Sequence, residues 1–173
     1  EEQEHAKMPS AKNYAKIIGV GSPGDPHHIP APDPEGTGAH WAMKHALKDA
    51  GINLDQVDYI NAHGTSTPLG DAAEVAAVKA LFGPHAKKLA MSSTKSMTGH
   101  TLGAAGGVES VAVALAVHHG LMPPTINLEN PDDGFDLNFV PNAAQKKTLR
   151  CALNNSFGFG GHNVSLCFAK FSG

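Results

Sequence analysis

Asn61-Ala62-His63-Gly64-Thr65-Ser66-Thr67-Pro68 decides how this chain reads. Before it, Val57 to Asn61 is a short, partly β-branched run bounded by Asp55 and Gly64, the pattern of a strand. After it, Ala72, Val75, Ala76, Val78, Ala80 and Leu81 fall at helical spacing through Asp71 to Phe82, and Gly83 closes the run. Polar side chains beside a glycine, between a strand and a helix, stand where α/β folds build ligand sites. Two further stretches share this setting: Ser92-Ser93-Thr94-Lys95-Ser96-Met97-Thr98-Gly99-His100, and Asn155-Ser156-Phe157-Gly158-Phe159-Gly160-Gly161-His162-Asn163.

Outward from these segments, Tyr14 to Val20 reads as a strand ending at Gly21, and a Pro-rich loop covers Ser22 to Pro34. Trp41, Met43, Ala46, Leu47 and Ala50 carry helical spacing that stops at Gly51. Leu89 to Met91 is a short strand. Val108 to Val117 is so rich in Ala and Val that a helix buried on most sides is expected. A long loop spans Gly120 to Lys147. Two last strands, Leu149 to Asn155 and Val164 to Phe171, meet at the turn Gly158 to Gly161. The order β-α-β-α-β-α-β-β implies an α/β fold: a mixed, mainly parallel sheet with covering helices.

Composition narrows the class. In 173 residues, 41% are hydrophobic and 17% charged, as in a folded domain. A net charge of −3 leaves no basic footprint for nucleic acid. No apolar run is long enough to span a bilayer, and a soluble protein is expected. Cys151 and Cys167 form no CxxC pair, so a reducing, intracellular setting is the default. Glu1 to Lys7 read like the end of a helix, which suggests that the sequence starts inside a larger unit.

A histidine after a strand is more often a structural hydrogen-bonder than a catalyst. His63 and His100 occur in matching settings, however, with Lys95 five residues before His100. Burial at such places shifts the pKa values of histidine and lysine usefully for chemistry. At this point NAHGTSTPLGD, SSTKSMTGHTLGAAGGVES, PPTINLENPD and NNSFGFGGHN resemble, nearly residue for residue, β-ketoacyl-acyl-carrier-protein synthases of the elongating type II class.

The resemblance implies a thiolase-like architecture, in which two similar halves build a layered αβαβα core and this chain supplies the second half. It implies a decarboxylating condensation of an acyl thioester with malonyl-carrier protein. The nucleophilic cysteine of that family lies in the first half, and no such elbow occurs here. Cys151 and Cys167, among apolar neighbours in strands, read as inert core thiols. By resemblance His63 and His100 hydrogen-bond the developing enolate oxygen, and Lys95 orients the site with Glu109 as acidic partner. Glu109 read alone is simply a polar residue on an apolar helix, although an uncompensated carboxylate there is costly.

Phe159 resembles a gating phenylalanine whose N–H joins the oxyanion hole, with Gly158, Gly160 and Gly161 permitting movement. Its plain alternative is a core aromatic in a glycine turn. Thr65 and Thr67 resemble residues touching the pantetheine arm, and an N-cap role is equally open to one of them. The family usually has threonine where His162 stands. The implied partners are acyl carrier protein, the other half and a second copy in a homodimer. The implied location is the cytoplasm or an organelle of bacterial origin. No cofactor or metal is expected beyond the carrier's phosphopantetheine, and neither nucleic acid nor membrane is an expected partner.

Several patterns compete. Gly19-Val20-Gly21-Ser22-Pro23-Gly24 satisfies GxGxxG after a strand, but the prolines from Asp25 to Pro34 deny it the helix a dinucleotide site needs. His27-His28 and His118-His119 lack ligands at metal-site spacing. Polyketide ketosynthases share the motifs, and a non-catalytic carrier-protein or dimer-partner module is the reading from another class. A thiolase proper needs a second reactive cysteine near Gly158 to Gly161, where none stands.

Overall fold

A computed structural model describes residues 3–8, 12–24 and 33–171. The first element is a short helix, α1 (Gln3–Ala6), followed by strand β1 (Ala15–Gly21) and helix α2 (Thr37–Ala50). Strand β2 (Val57–Asn61) and helix α3 (Pro68–Phe82) carry the deciding segment between them. Then come β3 (Ala90–Ser92), the single-turn α4 (Lys95–Thr98) and α5 (Ala105–His119). A small ladder, β4 (Leu121–Met122) with β5 (Gln145–Lys146), ties together the two ends of the long loop. The chain closes with β6 (Cys151–Gly158) and β7 (His162–Lys170).

The five long strands form one sheet in the order β1-β7-β6-β2-β3. It is mixed, but only half of it is parallel: β2 runs parallel to β3 and β6, while β7 is antiparallel to both β6 and β1. The expectation of a mainly parallel sheet fails because β6 and β7 are joined by a tight turn, and two strands so joined must run antiparallel.

Side chains of successive strand residues face opposite layers. Ile60, Leu153 and Cys167 pack with α2 and α3, whereas Tyr59, Ala152 and Phe168 pack with α5. The result is three layers, helix–sheet–helix. Strand β2, flanked by β6 and β3, is buried at every position, as a strand covered on both faces must be. Asp58 in β2 accepts hydrogen bonds from the Arg150 side chain and backbone, which pins the start of β6 beside β2.

Gly51 closes α2 in the left-handed conformation, as its place in the sequence suggests, and Gly83 ends α3. Gly19 and Gly21 have a different use from phosphate binding. A Cβ on Gly21 would sit 2.0 Å from the Ala42 carbonyl oxygen, and one on Gly19 2.2 Å from that of Ala46. These glycines let α2 lie directly on β1. The His27-His28 pair and most of the Pro-rich loop lie outside the described residues.

Helix α5 departs from expectation. Its inward face, with Val113, Ala116 and Val117, is buried, but Val108, Val111 and Leu115 are 44%, 62% and 40% exposed. No described residue covers this apolar stripe. Trp41, expected on the packed side of α2, is also exposed, with Lys44 Nζ 4.5 Å from its ring.

Candidate active site

The deciding segment leaves the sheet at the C-terminal end of β2 and turns into α3. Glu74, buried on α3, sets that turn. Its Oε1 accepts the His63 N–H at 3.0 Å and its Oε2 accepts the Gly64 N–H at 2.9 Å. Asn155 Nδ2 from β6 donates to Oε1 at 3.0 Å, and Ser165 Oγ on β7 donates to Asn155 Oδ1 at 2.9 Å. Burial pushes the Glu74 pKa up, against the hydrogen bonds it accepts. Three strands and a helix therefore hold the backbone that carries His63.

His63 stands edge-on to His100, ring centroids 5.5 Å apart at 87°. Burial, then the charges of Lys95 and His100, lower the His63 pKa to about 3. The ring is thus a neutral imidazole at physiological pH. His63 Nδ1 is buried and has no hydrogen-bond partner among the described residues. His100 Nδ1 accepts the Leu102 N–H at 3.2 Å. With that nitrogen occupied as an acceptor, the proton of the neutral ring would sit on Nε2.

Lys95 opens α4 and is buried with its ammonium paired to Glu109 on α5. Burial raises the Glu109 pKa, opposed by the hydrogen bond and charge of Lys95 and by His100. Glu109 Oε2 has no partner among the described residues. Behind the histidines lies a buried polar layer. Asn61 Nδ2 donates to Asn154 Oδ1 at 3.0 Å, Thr94 Oγ1 donates to Asn61 Oδ1 at 3.1 Å, and the Tyr59 hydroxyl lies 2.8 Å from Ser92 Oγ. It fixes the relative positions of the strands that present His63 and Lys95.

A cleft of about 710 Å³ opens beside this cluster, lined by Thr65, Thr67, Asp71, Lys95, His100, Phe135 and Phe139. The Thr65 and Thr67 hydroxyls are 3.2 Å apart at its rim. Thr67 occupies the N-cap position of α3 yet makes no capping hydrogen bond with its side chain. Asp71 lies behind them, facing the N–H groups of Ser66, Thr67 and Thr65, and burial raises its pKa against those bonds.

The structure thus gathers His63, His100, Lys95 and Glu109, with the two threonines at the entrance. Phe159 is not gathered in. It is 79% exposed, and the aromatic neighbour of His63 is Phe157 at 5.7 Å. Gly160 and Gly161 carry φ of 74° and 71°, which turns the chain from β6 into β7 in a conformation other residues resist. His162 packs against this turn, its ring 3.4 Å from where a Gly160 Cβ would be. Cys151 and Cys167 are buried, and the hydrogen bond to Cys151, with burial, pushes the Cys167 thiol up.

Sequence reasoning missed Glu74 and Asp71. The signal for Glu74 was present: a lone carboxylate between Ala73 and Val75 on an apolar helix is the pattern that marked Glu109. Among the described residues no three His, Cys, Asp or Glu side chains converge as a metal site, and no helix is long and apolar enough to cross a membrane.

Residues 14–129 match the model of the β-ketoacyl synthase C-terminal domain. The chain is 56% identical over 170 residues to 3-oxoacyl-[acyl-carrier-protein] synthase 2 of Coxiella burnetii, covering 98% of this chain and 41% of that one. It is 54% identical over 173 residues to the mitochondrial 3-oxoacyl-[acyl-carrier-protein] synthase of Arabidopsis thaliana, covering 98% and 38%. Among solved structures it superposes on a type II polyketide synthase ketosynthase in complex with its acyl-carrier protein, at TM-score 0.95 and 37% identity over 99% of this chain and 42% of that one. A β-ketoacyl synthase from Burkholderia phymatum gives TM-score 0.91 and 36% identity, covering 99% and 41%. The chain therefore spans about two-fifths of the length of these relatives. With a matching domain model and a shared thiolase-like α/β fold, it belongs to the β-ketoacyl synthase family and carries that family's C-terminal domain.

Proposed function

We propose that this chain supplies the His/His/Lys portion of a 3-oxoacyl-acyl-carrier-protein synthase of fatty-acid elongation. The observation that carries the reading is the edge-on His63–His100 pair beside the buried Lys95–Glu109 ion pair, with His100 and Lys95 lining a cleft. A cysteine thiolate from outside these residues takes the acyl group from its carrier thioester and releases the carrier thiol. Malonyl-carrier thioester then loses CO2, and the electron pair of the broken C–C bond becomes an enolate. The enolate carbon attacks the acyl thioester, and collapse of the tetrahedral adduct expels the cysteine thiolate.

His63 and His100 stabilise the enolate oxygen by donated hydrogen bonds, and a donor so placed is typically worth about 3 kcal/mol. The depressed pKa of His63 supports a neutral donor in place of an imidazolium. Lys95 and Glu109 hold the local charge, Thr65 and Thr67 contact the pantetheine arm, and Phe159 with Gly158, Gly160 and Gly161 forms the gate. The exposed Phe159 suits a gate held away from the site. No cofactor acts beyond phosphopantetheine on acyl carrier protein. The complete enzyme is a homodimer of the cytoplasm or of an organelle of bacterial origin.

The apolar stripe Val108, Val111 and Leu115 supports a covering partner, for which the nucleophile-bearing half is the fitting occupant. The fatty-acid reading rests on relatives above 50% identity carrying that name, against 37% for the polyketide ketosynthase. The test is a condensation assay with acyl- and malonyl-carrier protein, on the chain alone and with a nucleophile-bearing half. Turnover only in the mixture is expected. Turnover by the chain alone would refute the reading, and carrier-protein binding without condensation in the mixture would favour a non-catalytic module.

A further inference from the structure

We infer that a second cleft, at the end of the sheet remote from His63, binds a small phosphate-bearing polyanion. It is an open depression of about 400 Å³ between the last turn of α5, the chain after β5 and the end of β7. That is the size range of small-molecule pockets. His118, His119, Lys146, Lys147, Thr148 and Lys170 line it, and no Asp or Glu does, in a chain of net charge −3.

Four cations outside this cleft meet carboxylates: Lys79 and Lys87 share Asp136, Lys95 meets Glu109, and Arg150 meets Asp58. Among the described residues no carboxylate pairs with Lys146 or Lys170. Lys147 Nζ is held by the Lys88 carbonyl oxygen at 2.9 Å. The last turn of α5 offsets part of this charge, but a helix C-terminus counts for only about half an elementary charge. Lys147 also acts on the Asp58 carboxylate, and the ammonium groups of Lys146 and Lys170 leave an excess that a multivalent anion would relieve.

The backbone fixes this convergence. Lys146 lies opposite Leu121 in the β4–β5 ladder, Lys147 N donates to Gly120 O at 3.0 Å, and Lys170 N donates to Arg150 O at 3.3 Å. The His118 and His119 rings stand edge to face at 4.7 Å, and His118 rests against Tyr14 at 5.0 Å. Ammonium, imidazole and the Thr148 hydroxyl donate from several directions, which suits the tetrahedral oxygens of a phosphate group. The site is separate from condensation. The eight residues of β6 lie between it and the gate turn, about 25 Å at ~3.3 Å per residue.

Isothermal titration calorimetry of the full-length protein with inorganic pyrophosphate, at fixed ionic strength, tests this. One saturable site is expected. The double variant Lys146→Gln/Lys170→Gln should weaken it about tenfold, since exposed charge contacts contribute up to about 1 kcal/mol each. The remote pair Lys7→Gln/Lys48→Gln makes the same change in net charge and should bind as the wild type does. All four side chains are exposed, so folding is not at stake. Absence of saturable binding in the millimolar range, or equal weakening by the two pairs, would overturn the inference.

Discussion

Glu74 and Glu109 pose the same problem on opposite faces of the sheet, and the molecule answers it in two ways. Each is a buried carboxylate on a helix of mostly Ala, Val and Gly, and burial raises the pKa of both. Glu109 is met by a cation, Lys95. Glu74 is met by neutral dipoles: two backbone N–H groups and the Asn155 amide. An ammonium is a point charge on a flexible stem and constrains direction weakly, whereas three dipolar donors fix the carboxylate and everything bonded to it. Dipoles accordingly hold the turn that carries His63, and the ion pair sets the field around it. Lys95 is itself one of the causes that depress the His63 pKa.

The largest effect should come from removing the cation. Lys95→Met leaves Glu109 buried and uncompensated, and breaking a buried pair in this way costs about 3–5 kcal/mol. Denaturant midpoints of the folded protein measure it. Adding Glu109→Leu should recover most of the loss, because no charge then remains to be desolvated. A loss below about 1 kcal/mol in the single variant would mean that Glu109 simply takes up a proton, and the contrast with Glu74 would collapse.

Glu74→Gln should cost less but reach further. The amide keeps the shape while presenting a donor to one of two backbone N–H groups, so one buried donor goes unpaired, at about 1–3 kcal/mol. Condensation by the complemented enzyme should fall with it, since the His63 backbone loses its anchor. Full activity in this variant would show that the β2–α3 turn holds itself without the carboxylate.

How far this site could be read beforehand follows from the same pair. The gathering of His63, Lys95 and His100 was legible because each sits in a motif beside a strand end, and Glu109 stood out as a carboxylate on an otherwise apolar helix. Glu74 carried the same signal of a carboxylate among apolar helix residues, but its targets are backbone amides, which leave no residue code for its role. In the fold, helix stops at Gly51 and Gly83 were legible from local chemistry. The antiparallel β6–β7 pair was implicit in the turn Gly158 to Gly161, whereas that of β1 with β7 was not, since no local connection joins those strands. The exposed face of α5 was not foreseen because an Ala- and Val-rich composition reports that a helix is apolar, not what covers each face.

The third test separates the two carboxylates from the histidine between them. The folded His63 pKa, about 3, lies below its ordinary 6.5, so the unfolded chain takes up this proton first. The stability gained by keeping His63 neutral is complete above pH 6.5 and is lost as pH falls toward 3. Glu74 and Glu109 act with the opposite sign, since raised pKa values add stability as pH falls. The wild-type curve is a sum, and His63→Gln isolates one part of it. The stability difference between wild type and variant should shift against the wild type from pH 6.5 downward. A constant difference would place the His63 proton elsewhere.

The smallest effect is expected at Thr67, where the comparison predicts a separation of stability from binding. Thr67 sits where an N-cap normally contributes about 1 kcal/mol, but its hydroxyl faces Thr65 Oγ1 and caps nothing. The N–H groups of this turn face Asp71 and Glu74 instead. Thr67→Ala should therefore change stability by less than about 0.5 kcal/mol, the range of an ordinary surface substitution. If the threonines contact the pantetheine arm, KM for the carrier-bound substrate should rise while kcat changes little, as when a contact common to ground and transition states is lost. A stability loss near the full capping value would instead assign Thr67 to the helix, leaving Thr65 to meet the arm alone.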